Sequence, residues 1–330
     1  MADLDEVGAV RAVSVQQNDE GVGLAAFRIE SRTVKHHLVI FLPSHDCHVA
    51  MTATTRFAPS PTGYLHLGHA FAAISAFEAG SRFLVRIEDI DAARCRPEFE
   101  TAILEDLAWL GLNWEEPVLR QSARMDAYAA ALQSLDARGL LYPCFCTRHE
   151  IAEEIARSAE APQGPEGPHY PGTCRQLSEA ERSERLASGR PYAVRLNVAK
   201  AAALAGPLSF DEHGTGPNGE MGRFQVDPLA FGDVVLARKD MPSAYHLAVV
   251  VDDAFQRVDL VTRGNDLFFA AHIQRLLQAL LDLPAPAYAH HRLVLDENGR
   301  KFSKRDQAAT LRAMRESGVT AQEIRRRLGL

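Results

Sequence analysis

Nowhere in the 330 residues is there a run of about 18 consecutive apolar positions, so no membrane-spanning helix is expected. The opening "MADLDEVGAV" has no basic stretch leading into an apolar one, so no secretory signal is expected either. Excess positive charge is also missing: 36 Lys and Arg stand against 43 Asp and Glu, a net charge of −7. That excludes a protein whose whole surface grips nucleic acid, although a local basic patch stays open. Cysteine is scarce. Five of them, an odd number in a long chain without a secretory signal, do not read as a disulfide framework. No internal repeat is present. What is there, 46% hydrophobic and 24% charged residues, is the composition of a soluble globular protein with ample core. A cytoplasmic, monomeric enzyme is the expectation.

Periodicity is poor over residues 1–51, where only "HHLVIFLP" (His36–Pro43) reads as a strand. Met51 stands just before the first motif-bearing segment, and 1–51 is expected to be a dispensable extension. From Thr55 the patterns alternate. "TRFAPSP" reads as a strand entering a loop, "LGHAFAAISAFEAG" as a helix and "RFLVRIEDI" as a strand leaving a sheet. "PEFETAILEDLAWLGL", with Pro97 in its first turn, and "RMDAYAAALQSLDARGL", closed by Gly139, read as amphipathic helices. Strand, helix, strand, helix implies an α/β chain with a Rossmann-like, doubly wound parallel sheet, its first half in residues 52–141.

Residues 142–195 differ: Cys-x-Cys, then a Pro- and Gly-rich stretch with a loop at 158–168, then a helix pattern. They suit a small inserted module. "AYHLAVVVDDAFQRVDLVTRG" reads as a return to buried strands and "DLFFAAHIQRLLQALL" as a helix, within a second half spanning 196–305. Residues 306–330 suit two short helices, the second with a capping box, Thr320 with Glu323, and an end at Gly329.

Two short segments carry chemistry. In "APSPTGYLHLGH" (Ala58–His69) a Pro- and Gly-containing turn runs into a helix beginning near Leu67. Helix N-termini offer free N–H groups and a positive dipole end to phosphate. His66 and His69 lie on one side of that first turn, where both can donate to phosphate oxygens as charge develops. Gly68 lets a flat base lie against the backbone. In "KFSKR" (Lys301–Arg305), Lys301 and Lys304 bracket Ser303, and lysine is a mobile charge suited to a moving polyphosphate. Each segment alone is a weak signal.

Together, in this order within an α/β chain, they resemble the "HIGH" and "KMSKS" signatures of class I aminoacyl-tRNA synthetases. "RFAPSPTGYLHLGHA", "VRIEDID", "AYHLAVVVDD" and "VTRGNDL" strongly resemble the glutamyl-tRNA synthetase group. The resemblance covers roughly Thr55–Arg305 and implies a class I catalytic core that activates glutamate with Mg-ATP. It implies a glutamate pocket of Arg56, Phe57, Ala58, Pro59, Ser60, Glu88, Tyr245 and Arg263. The chemistry agrees: Arg56 and Arg263 can each hold a carboxylate, Ser60 can donate to one, Glu88 can pair with the ammonium, and Tyr245 can line the pocket. Asp89 and Asp91 read as structural. The implied ATP site takes in His66, Gly68, His69, Ser303 and Lys304, and the implied catalytic set is His66, His69, Lys301 and Lys304. Phe302 and Arg305 depart from the family pattern in positions expected to tolerate change.

Cys144, Cys146 and Cys174 supply three soft ligands that suit a structural Zn²⁺. The fourth ligand is Tyr170 if the family spacing "YPGTC" is followed. His169 is the rival on chemical grounds, with His149 also nearby. Finally, 25 residues follow Arg305, too few for the helical anticodon-reading portion of a glutamyl-tRNA synthetase. The chain therefore resembles the glutamyl-queuosine tRNA(Asp) synthetase family, short paralogues without that portion. This resemblance implies transfer of glutamate to queuosine in the anticodon of tRNA(Asp), with the catalytic core itself docking the anticodon loop. Truncated glutamyl-tRNA synthetase, catalytically silent RNA-binding homologue and small-molecule nucleotidylyltransferase are the alternatives. The RNA-docking surface is not legible in the sequence.

Overall fold

A computed structural model describes residues 10–17, 23–29, 52–157, 163–165, 167–238, 243–295 and 310–330. The expected strand at 36–43, most of the loop at 158–168 and the "KFSKR" segment therefore lie wholly or partly outside the described residues. The chain divides into two compact units, Met1–Ala53 and Thr54–Leu330. In the first, β1 (Val10–Gln17) and β2 (Gly23–Ile29) pair as an antiparallel hairpin, with Val10 opposite Ile29 and Gln17 opposite Gly23. Sequence periodicity gave no sign of it.

The second unit opens with β3 (Thr54–Phe57), α1 (Leu67–Glu78), β4 (Arg82–Ile87), α2 (Pro97–Trp109) and β5 (Glu115–Arg120). These three strands form one parallel sheet, ordered β3-β4-β5. Local chemistry fixes the boundaries. Pro97 occupies the first turn of α2, where its missing N–H has no helical partner to lose, and Glu98 and Glu100 favour the same positive end. Then come α3 (Met125–Ala137), β6 (Leu141–Cys144), α4 (Arg148–Arg157) and the two-residue strands β7 (Gln163–Gly164) and β8 (Gly167–Pro168). Gly139, with φ of 65°, makes the left-handed turn that releases α3 into β6.

Next follow α5 (Glu179–Ala187), β9 (Ala193–Leu196), α6 (Val198–Ala205), β10 (Ser209–Glu212), β11 (Gly222–Gln225) and β12 (Val235–Arg238). The strands β6, β9 and β12 make an antiparallel sheet, so the Cys-bearing module draws its last strand from well beyond residue 195. The chain closes with α7 (Tyr245–Phe255), β13 (Leu260–Gly264), α8 (Ala270–Leu280), β14 (Ala287–His291), α9 (Leu311–Glu316) and α10 (Ala321–Leu328). Here β13, β14 and β10 run parallel, with β11 antiparallel at the edge.

The two parallel groups are stitched together at their starts. The Asp259 N–H donates to the Thr54 carbonyl at 3.0 Å, and the Asp259 carboxylate accepts from the Thr54 N–H at 3.0 Å. The parallel α/β architecture expected of the sequence is therefore present, laid out as two hydrogen-bonded ladders. One expectation fails. "AYHLAVVVDDAF" is helix α7, not a strand. Leu247, Ala248, Val249 and Val250 are all buried, so the helix is apolar around most of its circumference and shows no 3.6-residue period.

The main cluster of buried residues packs α1 and α2 on β3 and β4 and includes Leu311, Ile324 and Leu328. Burying side chains of this size contributes about 1.5–3 kcal/mol each, which seats the two C-terminal helices against α1 and α2. Among the described residues no helix is long and apolar enough to cross a membrane.

Asp106 sits in this packing as a liability. It is fully buried on α2, and among the described residues neither carboxylate oxygen has a hydrogen-bond partner and the cation paired with it, Arg315 on α9, is 3.7 Å away. Burial pushes its pKa up to about 6, against 3.8 ordinarily. A carboxyl raised in the folded state contributes its stability below about pH 4 and loses it as pH rises through 6. Asp106→Asn, neutral at every pH, is therefore expected to raise folding stability at pH 7.5 by about 1–2 kcal/mol. The gain should vanish below pH 4, as read by urea midpoints across that range.

Candidate active site

The strand ends carry one of the expected residues, Arg56, into a charged cluster. Arg56 on β3, Arg86 on β4 and Asp253 on α7 form a buried ion-pair cluster. Arg56 grips Asp253 with Nε to Oδ1 at 3.1 Å and Nη2 to Oδ2 at 3.3 Å, and its Nη1 donates to the Thr262 carbonyl at 3.1 Å. Arg86 donates from Nη1 to the same Oδ1 at 2.7 Å and to Gln256 Oε1 at 3.0 Å. Burial alone would raise the Asp253 carboxyl, but the two guanidiniums outweigh it and hold the group below the ordinary carboxylate range. Arg86 Nε and Nη2 have no hydrogen-bond partner among the described residues.

Glu88 lies just past the end of β4, with Oε1 3.5 Å from Arg86 Nη2. Burial raises its carboxyl, and Arg86 and Arg56 only partly oppose this. Its N–H donates to the Pro59 carbonyl at 3.0 Å, so the loop after β3 and the end of β4 form one ledge. Phe57 is buried in the main apolar cluster, while Ser60 is half-buried. Asp89 instead caps the next segment, accepting from the Ser122 N–H and Oγ at 2.8 and 2.6 Å, and Asp91 pairs with Arg94.

Arg263, at the end of β13, is held from two sides. Its Nε donates to His290 Nε2 at 2.9 Å and its Nη1 to Gln274 Oε1 at 2.7 Å. Its Nη2 is buried and has no partner among the described residues. An unmet buried donor costs about 1–3 kcal/mol, which an incoming carboxylate would relieve. By donor count, Arg56 also keeps one N–H on each Nη beyond its contacts with Asp253 and Thr262. Tyr245 starts α7, half-buried, with its ring 5.5 Å from that of His246.

The histidine pair forms the cap of α1. His66 Nδ1 accepts from the Gly68 N–H at 3.1 Å, and His69 Nδ1 accepts from the His66 N–H at 3.2 Å. The rings face each other at 3.8 Å. With Nδ1 accepting in both, each neutral ring carries its proton on Nε2, the atom able to donate to phosphate. A Cβ at residue 68 would lie 3.1 Å from His66 Cε1, so glycine there lets the ring fold back. Thr310 bridges to His66, and the Leu311 N–H donates to the Leu65 carbonyl at 2.8 Å. The residue at which the chain becomes described again after "KFSKR" therefore lies against the histidine motif. Lys301, Ser303 and Lys304 themselves lie outside the described residues.

In the module, the Sγ atoms of Cys144, Cys146 and Cys174 lie within 4.8 Å of one another. Tyr170 OH is 3.6 Å from Cys146 Sγ and accepts from the Cys174 N–H at 2.8 Å. The Phe145 N–H donates to Cys174 Sγ at 3.3 Å. Burial would raise the Cys174 thiol, but this N–H and Tyr170 pull it down, whereas burial pushes Cys146 up to about 12. His169 instead lines a cavity of about 420 Å³ with Arg195 and His246, and His149 is exposed beside Glu153.

Arg86, Asp253, Gln274, His290 and Glu212 belong to the site, yet no motif in the sequence marks them. The one local signal was charge inside apolar runs: Arg86 in "FLVRIED" and the acid pair closing "AVVVDD".

Residues 52–330 match the model of the class I tRNA synthetase (E and Q) catalytic domain. A Rhodobacter capsulatus protein called glutamyl-Q tRNA(Asp) synthetase is 49% identical over 285 residues, covering 84% of this chain and 99% of that one. A Nocardia farcinica protein of the same name is 46% identical, covering 82% and 81%. Among solved structures, the glutamate–tRNA synthetase of Elizabethkingia anophelis superposes with a TM-score of 0.62 at 28% identity, over 77% of this chain and 53% of that one. The chain thus spans about half the length of that solved synthetase. On the domain match and the two relatives, the chain belongs to the class I tRNA synthetases of the E and Q group.

Proposed function

We propose that this protein activates L-glutamate with Mg-ATP and transfers it to queuosine in the anticodon of tRNA(Asp). The observation that carries the reading is the near-full-length match to the Rhodobacter capsulatus relative of that name. The site's chemistry supports it. Arg56 and Arg263 take the two carboxylates of glutamate and Glu88 takes its ammonium, with Phe57, Ala58, Pro59, Ser60 and Tyr245 completing the walls. An oxygen of the α-carboxylate attacks the α-phosphorus of ATP. A phosphorus–oxygen bond forms and the bond to the departing pyrophosphate breaks. His66 and His69 donate from Nε2 to the phosphates, and Lys301 and Lys304 neutralise the pyrophosphate, with Gly68 and Ser303 close to the nucleotide. A queuosine hydroxyl then attacks the acyl carbon of the adenylate. AMP leaves and the hydroxyl proton is lost. Positioning and charge neutralisation carry the catalysis.

The Cys cluster fits a structural Zn²⁺. Tetrahedral Zn–S bonds of about 2.3 Å separate sulfurs by roughly 3.8 Å, close to the 3.5 Å between Cys146 and Cys174. Cys144, Cys146 and Cys174 would hold the ion with Tyr170 OH as fourth ligand, because that hydroxyl, not His169, lies among the sulfurs. The ion would clamp the module and take no part in the chemistry. The protein acts in the cytoplasm, as a monomer.

The test supplies ATP and labelled glutamate with three acceptors: tRNA(Asp) with queuosine, tRNA(Asp) without it, and tRNA(Glu). Label is expected only on the first, in a base-labile bond. Label on the 3′ end of tRNA(Glu) would replace this reading with that of a glutamyl-tRNA synthetase. No adenylate in any arm would leave a silent homologue.

A further inference from the structure

We propose that Glu212 and His290 are positioning residues that fix Arg263 in the orientation that receives a glutamate carboxylate. The proposal rests on the reading of the site just given. The three side chains come from adjacent parallel strands, β10, β14 and β13, and meet at their C-terminal ends. Ligands of open α/β sheets bind at that edge.

The contacts form a directed chain. His290 Nδ1 meets Glu212 Oε2 at 2.5 Å, and His290 Nε2 meets Arg263 Nε at 2.9 Å. An arginine Nε–H can only donate, so His290 Nε2 must carry a lone pair. The ring proton then sits on Nδ1 and points at the carboxylate. Glu212 cannot be exchanged for an amide without conflict. Its other oxygen, Oε1, accepts from the His290 and Gly214 N–H groups, each at 2.8 Å. Both oxygens must therefore accept, which a carboxylate does and an amide cannot. The side chains of Glu212 and His290 are fully buried, where ordering polar groups is unfavourable unless every one is met. Tyr288 lies parallel to the His290 ring with centroids 5.9 Å apart and Phe268 meets it edge-on at 5.3 Å, so aromatic rings flank the imidazole. A Cβ at Gly214 would lie 2.1 Å from the His290 carbonyl oxygen, so the loop after β10 can close on His290 only with glycine there. Gln274 holds Nη1 from the other side. With Nε and Nη1 tied, the guanidinium plane is set and Nη2 is left for a ligand.

Two measurements test this. In wild-type protein, long-range ¹H–¹⁵N NMR of His290 should report a neutral ring protonated on Nδ1. A proton on Nε2, or an imidazolium, overturns the relay. In ATP–pyrophosphate exchange, Glu212→Gln should raise the KM for glutamate at least about tenfold, leaving kcat and the KM for ATP within about twofold. His290→Gln, which keeps one donor and one acceptor, should retain most glutamate affinity, whereas His290→Phe should lose it as Glu212→Gln does. Equal rises in both KM values, or His290→Phe matching His290→Gln, would mean a purely structural role and overturn the proposal. Should Glu212→Gln fail to fold, the tautomer and the His290 pair still decide. A wild type without glutamate-dependent exchange would sink the glutamate reading and this role together. An exchanging wild type beside a Glu212→Gln of unchanged glutamate KM would sink this role alone.

Discussion

Asp253→Asn is expected to destabilise the second unit by about 3–5 kcal/mol, the range for removing one partner of a buried ion pair. The size follows from what is left behind. Asp253 is the shared counter-ion of Arg56 and Arg86, and Arg86 is wholly buried. An asparagine keeps one accepting oxygen but no charge, so Glu88 at 3.5 Å is then the sole carboxylate paired with Arg86 among the described residues, and Arg56 loses its counter-ion. Two guanidiniums would stay charged in the interior, because arginine does not lose its proton. The urea midpoint should drop with the slope unchanged, since the surface exposed on unfolding is the same. Glutamate activation should fall further than stability alone explains, because Glu88 is drawn towards Arg86 and away from the ammonium it is assigned to hold. A variant with wild-type midpoint and wild-type glutamate KM would show that the cluster neither supports the fold nor shapes the pocket.

This cluster also shows where sequence reading stops. The start of α1 near Leu67, with His66 and His69 on one side of its first turn, was legible because these residues are neighbours in sequence. The Cys-x-Cys pair and the two closing helices were legible for the same local reason. Arg56 and Asp253 are 197 residues apart, Arg86 and Asp253 are 167, and Glu212 and His290 are 78. No spacing rule connects them. Their conjunction depends on which strands become neighbours, here β3 beside β13 and β14 beside β10. Asp253 is obscured twice over, because its helix has the sequence pattern of a buried strand. Val249, Val250 and Val251 have high strand propensity, yet α7 packs against α3 and α8 and needs apolar residues on several sides. Tertiary burial overrode propensity there. Arg56, Glu88 and Arg263 were named from sequence, but their partners were not. Partners decide orientation, which explains why Arg263 could be named as a carboxylate ligand while the groups that aim it stayed unseen.

The second large effect is expected in the Cys module. Purified protein should carry about one zinc per chain, and Cys144→Ser should lose it. Structural zinc contributes folding free energy directly, of order 10 kcal/mol in isolated zinc peptides. In this chain the loss should stay local. Among the described residues the buried cluster around the site is small, Tyr142, Cys144, Phe145 and Cys174, and offers α4 and the Tyr170–Cys174 segment little apolar surface to hold them without a staple. The parallel sheets have their own cores and should survive. Chelation or Cys144→Ser should therefore raise the rate of tryptic cleavage within residues 148–190 by roughly tenfold or more through local opening, with the α1–α2 region still protected. Tyr170→Phe separates the two candidates for the fourth ligand. It removes the hydroxyl that lies 3.6 Å from Cys146 Sγ but leaves His169 in place. It should weaken zinc retention against a chelator, whereas His169→Ala should not. A wild type that binds no zinc and resists protease equally with and without chelator would mean that the three thiols are simply packed together.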